Sequence, residues 1–301
     1  MILGSKLRGA LVWLALITAI GATPRGYAAD SFQGIGLCRF LLVDYALPPA
    51  TEASVNQVVT DSLHKQEAVF GFKASPDFHV KVRIYGRFAD FESYTRTNRL
   101  AQQLVQNTRS LTNLGGYYAH RNRQIVTWRQ RHPSDLANTL LHESCHAILD
   151  SAFRRIPIWL AEGSATYFAY PHHLQDDRDV GTIHYRWAKL NVMLRDNQLM
   201  TSKSLLNLSE TEWMKLDPGV SYTMAWSMFQ LLMSTPARQE ALRRYVRELQ
   251  TAEREADGAG VMEGIYPGGV TQLDKDWHDW IAKAGARVLG KDMEEMMKRV
   301  R

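Results

Sequence analysis

At Pro133 the hydrophobic pattern of this 301-residue chain changes period, and that change limits the folds open to it. Upstream, apolar residues come in short runs and alternations. Leu37 to Val43 (LCRFLLV) is a compact apolar run of the kind a buried strand makes, and Phe78 to Tyr85 (FHVKVRIY) alternates as a strand does. Between them Pro48-Pro49 breaks the chain. Thr51 is positioned to cap a helix running to Phe70, with Val55, Val58, Val59, Leu63 and Val69 on its apolar side. Residues 88–107 read as a second helix, Gly115-Gly116 as a turn, and Tyr117-Tyr118 and Gln124–Trp128 as the strands of a hairpin. Downstream of Pro133 the pattern is helical almost to the end. Pro133-Ser134-Asp135 starts one helix, and Pro157 opens another over Ile158–Phe168 that Pro171 closes. Further helices are expected over Asp179–Arg195, Ser221–Met233, Ala237–Glu248, Gln272–Ala284 and Lys291–Arg301, with Thr251–Gly269 a polar, Gly-rich loop. The expected class is α+β: a small mixed N-terminal sheet with helices over residues 30–133, then an all-helical part over 134–301, together one compact unit. Residues that meet at such a junction often line a cleft.

The first 29 residues follow a different logic. Lys6 and Arg8 precede an apolar stretch from Gly9 to Ala22, and Gly26 and Ala28 put small residues at the −3 and −1 positions of a cleavage site. That is the layout of a secretory signal peptide, so the mature chain is expected to be exported, either periplasmic or secreted. The apolar stretch falls short of the roughly 20 residues that cross a bilayer. This weighs against an uncleaved anchor, and no later segment is apolar enough to span, so no stable membrane span is expected after cleavage. Without Lys6, Arg8 and Arg25 the formal charge drops from +5 to +2. So small a balance, with basic residues clustered only as in Arg121 and Arg123 or Arg129 and Arg131, argues against nucleic acid or an anionic membrane as partner. Two cysteines, Cys38 and Cys145, exclude a disulfide scaffold. One bridge between them is open in an oxidising compartment, but Cys145 falls inside an apolar helix, where a free thiol fits better.

On the helix that starts at Pro133 lies His142-Glu143-Ser144-Cys145-His146. Positions i and i+4 share a helix face one turn apart, so His142 and His146 present two imidazoles to one tetrahedral ion, and zinc suits such a pair. Glu143, one residue after the first histidine, projects beside the ion, where it can take a proton from a water held there. Leu136, Leu140 and Leu141 just upstream are apolar, as a buried helix requires. The third ligand is expected to be Glu162, 16 residues past His146 on the next helix. Two helices joined by a short turn can bring all three side chains around one ion. A carboxylate among Trp159, Leu160 and Phe168 would otherwise carry a desolvation cost. The plain alternative for Glu162 is an exposed acid near a helix N-terminus.

The stretch LLHESCHAIL followed by PIWLAEGSATYF resembles the gluzincin zinc metallopeptidases, whose fold includes thermolysin, and more narrowly exported peptidase-MA-like proteins with a P-x-W-L-x-E-G-x-A-x-Y pattern. The likeness covers residues 115–235. It implies zinc, an active-site helix, a glutamate-bearing helix and an edge strand for a peptide or protein substrate, expected here at Tyr117–Trp128. Two features depart from it. Thermolysin-like proteins carry an acid one turn after the third ligand, where this chain has Thr166; Asp150, one turn after His146, is the candidate to support a histidine instead. No strand like the aminopeptidase G-A-M-E-N occurs. The chemistry also needs a donor opposite the metal. Tyr222, 60 residues past Glu162 at a helix start, is the first candidate, with core packing as the even alternative and His184 and Tyr185 behind it. Trp226, Trp277 and Trp280 read as core. The expected activity is zinc-dependent hydrolysis of peptide bonds, with Glu143 and Tyr222 catalytic. The competing class is a zinc-holding, non-catalytic envelope protein that binds peptide or a partner; it would have no use for Glu143.

Overall fold

Among the described residues, four short strands make one sheet in the order β1-β2-β4-β3: Cys38–Val43 (β1), Val80–Tyr85 (β2), Gly116–Ala119 (β3) and Gln124–Trp128 (β4). The computed structural model describes residues 31–34, 36–98, 111–112, 114–169, 177–251 and 257–300. β1 runs parallel to β2 with Cys38 opposite Val80, and the crossover between them is α1 (Pro49–Phe70). β2 runs parallel to β4, and β3 folds back antiparallel on β4 with Tyr118 opposite Ile125. The edge strand expected over Tyr117–Trp128 therefore needs correcting: among the described strands β3 is an edge, whereas β4 is paired on both sides. Gln124, Ile125, Val126 and Thr127 are all buried, which is the pattern of an interior strand covered on both faces.

Proline chemistry, rather than Thr51, starts α1. Pro48 is extended at the cap and Pro49, with its preset φ, takes the first helical position. α2 (Phe88–Thr97) covers the first half of the helix expected over 88–107; the rest of it, the signal segment and Pro171 lie outside the described residues. From Pro133 on, the described elements are helices: α3 (Pro133–Ala152), α4 (Ile158–Ala169), α5 (Asp177–Arg195), α6 (Ser202–Leu206), α7 (Glu210–Trp213), α8 (Pro218–Met233), α9 (Pro236–Thr251), α10 (Gly258–Glu263) and α11 (Gly269–Val300). The class is α+β, as the change of pattern at Pro133 implies. α6, α7 and α10 are too short to show a period, and α10 falls within the stretch read as loop. α11 is one helix where two were expected. Gly285 sits inside it, and a Cβ there would run into the Asn191 side chain of α5, so this glycine serves a close helix approach and not a break.

α3 lies between two hydrophobic clusters. Leu136, Leu140, Leu141 and Ala147 pack with Val82 and Ile84 of β2, Ile125 of β4, and Val55 and Val59 of α1. Cys145 and Leu149 face the other way, among Trp159, Trp226 and Phe229. Every residue from Thr139 to Leu149 is buried. α4 runs against α3 and α8, and among its residues Tyr167 alone escapes full burial. Trp226 and Trp277 are core, as expected, and Trp280 packs at the edge of the same cluster. Cys38 and Cys145 are buried free thiols in separate clusters. Among the described residues no helix is long and apolar enough to cross a membrane.

Candidate metal centre

The four-residue spacing turns His142 and His146 onto one stripe of α3, and α4 crosses that stripe with Glu162 facing it. His142 Nε2 lies 3.3 Å from Glu162 Oε2, and His146 Nε2 lies 3.7 Å from the same oxygen. The two imidazoles meet edge to face, 5.0 Å between centroids. One donor atom from each of the three residues lies within 4.8 Å of the other two. Donors held about 2.1 Å from a tetrahedral ion are about 3.4 Å from one another, so this spacing is that of a three-donor cage. Glu162 is 0% exposed, which removes the alternative of a solvated acid at a helix start.

Burial dominates the electrostatics. It pushes the His142 ring down to about 3, helped by the nearby Arg186 charge, and the His146 ring down to about 3, against the pull of Glu162. Both rings are therefore neutral, as metal ligands must be. Burial raises the Glu162 carboxyl to about 7, although His146 and the Tyr222 hydroxyl oppose it. Glu143 is held well above the usual carboxylate range by burial first and by Glu162 second, while the Tyr118 backbone N–H pulls it down. Among the described residues neither Glu162 oxygen has a hydrogen-bond partner of ordinary geometry, and neither does Glu143 Oε2. The Tyr222 hydroxyl is near enough to Glu162 to favour its charged form. Buried carboxyls left this way are costly. A divalent cation between the three donors would reverse the shifts, because a bound ion is the largest local charge in such a site. The donor set of two imidazole nitrogens and one carboxylate fits zinc.

Tyr222, in the second turn of α8, is 5% exposed with its ring 6.4 Å from that of His142 and 5.5 Å from that of Trp213. α8 begins at Pro218, so Tyr222 is not at its start. Burial and the two carboxyls push its hydroxyl well above the usual tyrosine value, which keeps it a donor. Of the alternatives on α5, Tyr185 is 56% exposed and His184 is half-buried. Thr166 is buried on α4, one turn past Glu162.

Asp150 does not support His146. Its carboxylate takes the Tyr118 hydroxyl at 2.8 Å and His120 Nδ1 at 3.0 Å, and His146 Nδ1 has no hydrogen-bond partner among the described residues. The reason is the course of β3, which runs beside α3 and brings Tyr118 and His120 to the carboxylate first. Arg186, whose guanidinium lies 5.8 Å over the Trp226 ring, also belongs to the surroundings of His142. Sequence reasoning missed Tyr118, His120 and Arg186. No spacing rule connects residue 120 with residue 150 or residue 186 with residue 142. No family model matches the chain, and no curated protein matches it.

Proposed function

We propose that this chain is a zinc-dependent peptidase of the gluzincin type that acts in an exported compartment. The observation that carries the proposal is the meeting of His142, His146 and Glu162, from two helices, in one buried cluster with Glu143 beside them. Held by those three donors, zinc would supply a Lewis acid that polarises a carbonyl and acidifies a water. The chain's own residues would do the rest. The outer edge of β3 pairs with an extended peptide, as free strand edges do. The Glu143 carboxylate accepts the proton of the attacking water and returns it to the leaving amine. The Tyr222 hydroxyl donates to the oxygen on which negative charge develops. The buried middle turns of α3, α4 and α8 keep bulk water from these groups.

The second reading, a zinc-holding envelope protein that binds peptide without cutting it, is favoured by nothing that separates it from the first. It leaves Glu143 without a task, and a buried carboxyl raised so far would be a cost with no return. Purified mature protein should hold one zinc per chain and digest casein. Glu143→Gln should keep the zinc and lose about 10²–10⁴ in rate. Equal digestion by both proteins would remove Glu143 from the mechanism. Stoichiometric zinc with digestion by neither would establish the second reading.

A further inference from the structure

The turn after β3 brings another histidine to the neighbourhood of the centre. His120 follows Ala119, the last residue of the strand, and its ring lies edge-on to that of Tyr118 at 4.7 Å between centroids. Its Nδ1 is 3.0 Å from Asp150 Oδ1, and the other Asp150 oxygen accepts the Tyr118 hydroxyl at 2.8 Å. Asp150 stands one turn beyond His146 and two beyond His142 on α3, so these three side chains share a stripe of the helix. The Asp150 contact thus pins the His120 ring to the stripe that carries two of the candidate ligands.

That contact also sets the ring's chemistry. Burial raises the Asp150 carboxyl, but the hydrogen bonds from His120 and Tyr118 together bring it below the usual range, so it is ionised and can only accept. In the neutral imidazole the proton therefore sits on Nδ1, and Nε2 keeps its lone pair. Nε2 is buried and has no hydrogen-bond partner among the described residues. His120 is outside the three-donor cage and reaches it along the stripe of α3 through Asp150. An oriented acceptor left empty at the end of an edge strand, beside the candidate centre, is suited to a donor that arrives with a ligand.

We propose that His120 Nε2 is a substrate-binding acceptor, taking a backbone N–H of a peptide that lies along β3, with Asp150 holding the ring in the accepting tautomer. The inference deepens the peptidase reading and rests on it for the class of substrate, but the contact itself needs no cleavage. It is complementary to Tyr222, whose hydroxyl is the candidate donor to an oxygen.

The test uses zinc-loaded Glu143→Gln, in which peptide binding is separated from turnover, and fluorescent casein peptides as the probe. Adding His120→Ala should weaken binding roughly tenfold, the usual effect of leaving one buried partner unpaired. Zinc content should not change. His120→Phe keeps the ring packed on Tyr118 and should lose the same affinity, which covers the case of an alanine variant that folds poorly. Asp150→Asn can offer its NH2 to Nδ1, move the ring proton to Nε2 and turn the acceptor into a donor; its loss should be comparable. Peptides N-methylated at successive backbone amides provide the pairing. Methylation at one amide should reproduce the loss with His120 present and add nothing when His120 is absent. Unchanged affinity in a folded, zinc-loaded His120 variant overturns the proposal and leaves the peptidase standing. His120-dependent binding in a protein whose wild type never cleaves peptide upholds the contact and refutes the hydrolase. No affinity for any peptide in wild type or Glu143→Gln overturns both.

Discussion

Replacing Gly163 with alanine adds one methyl group to α4 at the residue after Glu162, where α8 leaves no room for it. A Cβ there would lie 2.5 Å from the Ala225 carbonyl oxygen and 2.9 Å from its carbonyl carbon, where ordinary contact begins at 3.4 Å. The obstructing atoms are backbone in the middle of α8, so no side chain can swing aside. The two helices must part by about 0.9 Å at that point to restore the 3.4 Å contact. α8 carries Tyr222 three residues before Ala225, so parting the helices moves Glu162 from the histidines, Tyr222 from His142, or both.

Two stability terms oppose each other. Alanine is favoured over glycine in a helix interior by about 1 kcal/mol. Overpacking a filled core costs about 1–3 kcal/mol. The net loss of metal-free stability should be about 0–2 kcal/mol, a few degrees in Tm. The larger effect is expected on the metal. A third ligand displaced by most of an ångström should weaken zinc binding about 10–100-fold, the scale seen when ligand orientation is disturbed. Each tenfold removes about 1.4 kcal/mol of zinc-linked stability. The assay is competition with a chromophoric chelator, with thermal melts in the presence and absence of zinc. Gly264→Ala is the control, since a Cβ there has no neighbour nearer than the Val261 carbonyl oxygen at 3.8 Å. If Gly163→Ala kept wild-type zinc affinity and melting temperature, the contact between α4 and α8 would not be what sets the third ligand.

Tyr222→Phe should leave zinc content and Tm nearly intact and lower kcat by about 10²–10³, because the missing hydroxyl matters only where charge develops; wild-type turnover with a lowered Tm would make Tyr222 a core residue. Zinc affinity should fall with pH below about 7. The histidines, at about 3, are already neutral there, but the Glu162 carboxyl, at about 7 without the cation, must shed its proton to bind. The slope should approach tenfold per pH unit, measured in Glu143→Gln so that one raised carboxyl remains, and a flat profile between pH 5.5 and 7 would contradict it. N-terminal sequencing of the exported protein should begin just after Ala28; a chain beginning at Met1 would revive the membrane anchor.

The features legible in the sequence were those that depend on neighbours within one or two turns. The i, i+4 relation of His142 and His146 needs only that the segment be helical, and the run of apolar residues around it required burial. Glu162 was within reach because a short turn joins its helix to the first and because an unpaired carboxyl among Trp159 and Leu160 demands a partner. The α+β division at Pro133 followed from the change of period alone.

What the tertiary structure decided is which surfaces meet, and no local period encodes that. β3 and β4 looked alike as a hairpin, but parallel pairing with β2 made β4 interior and left β3 as the edge. Asp150 is one turn from His146 along the helix, yet the strand passing beside α3 claims its carboxylate for Tyr118 and His120. Gly163 and Gly285 carry no sign in the sequence of the backbone or side chain pressed against them. Each outcome is set by contact between segments distant in the chain. Burial then fixes the chemistry, because a carboxyl or imidazole removed from water takes its protonation from whatever polar atoms the fold has brought within reach.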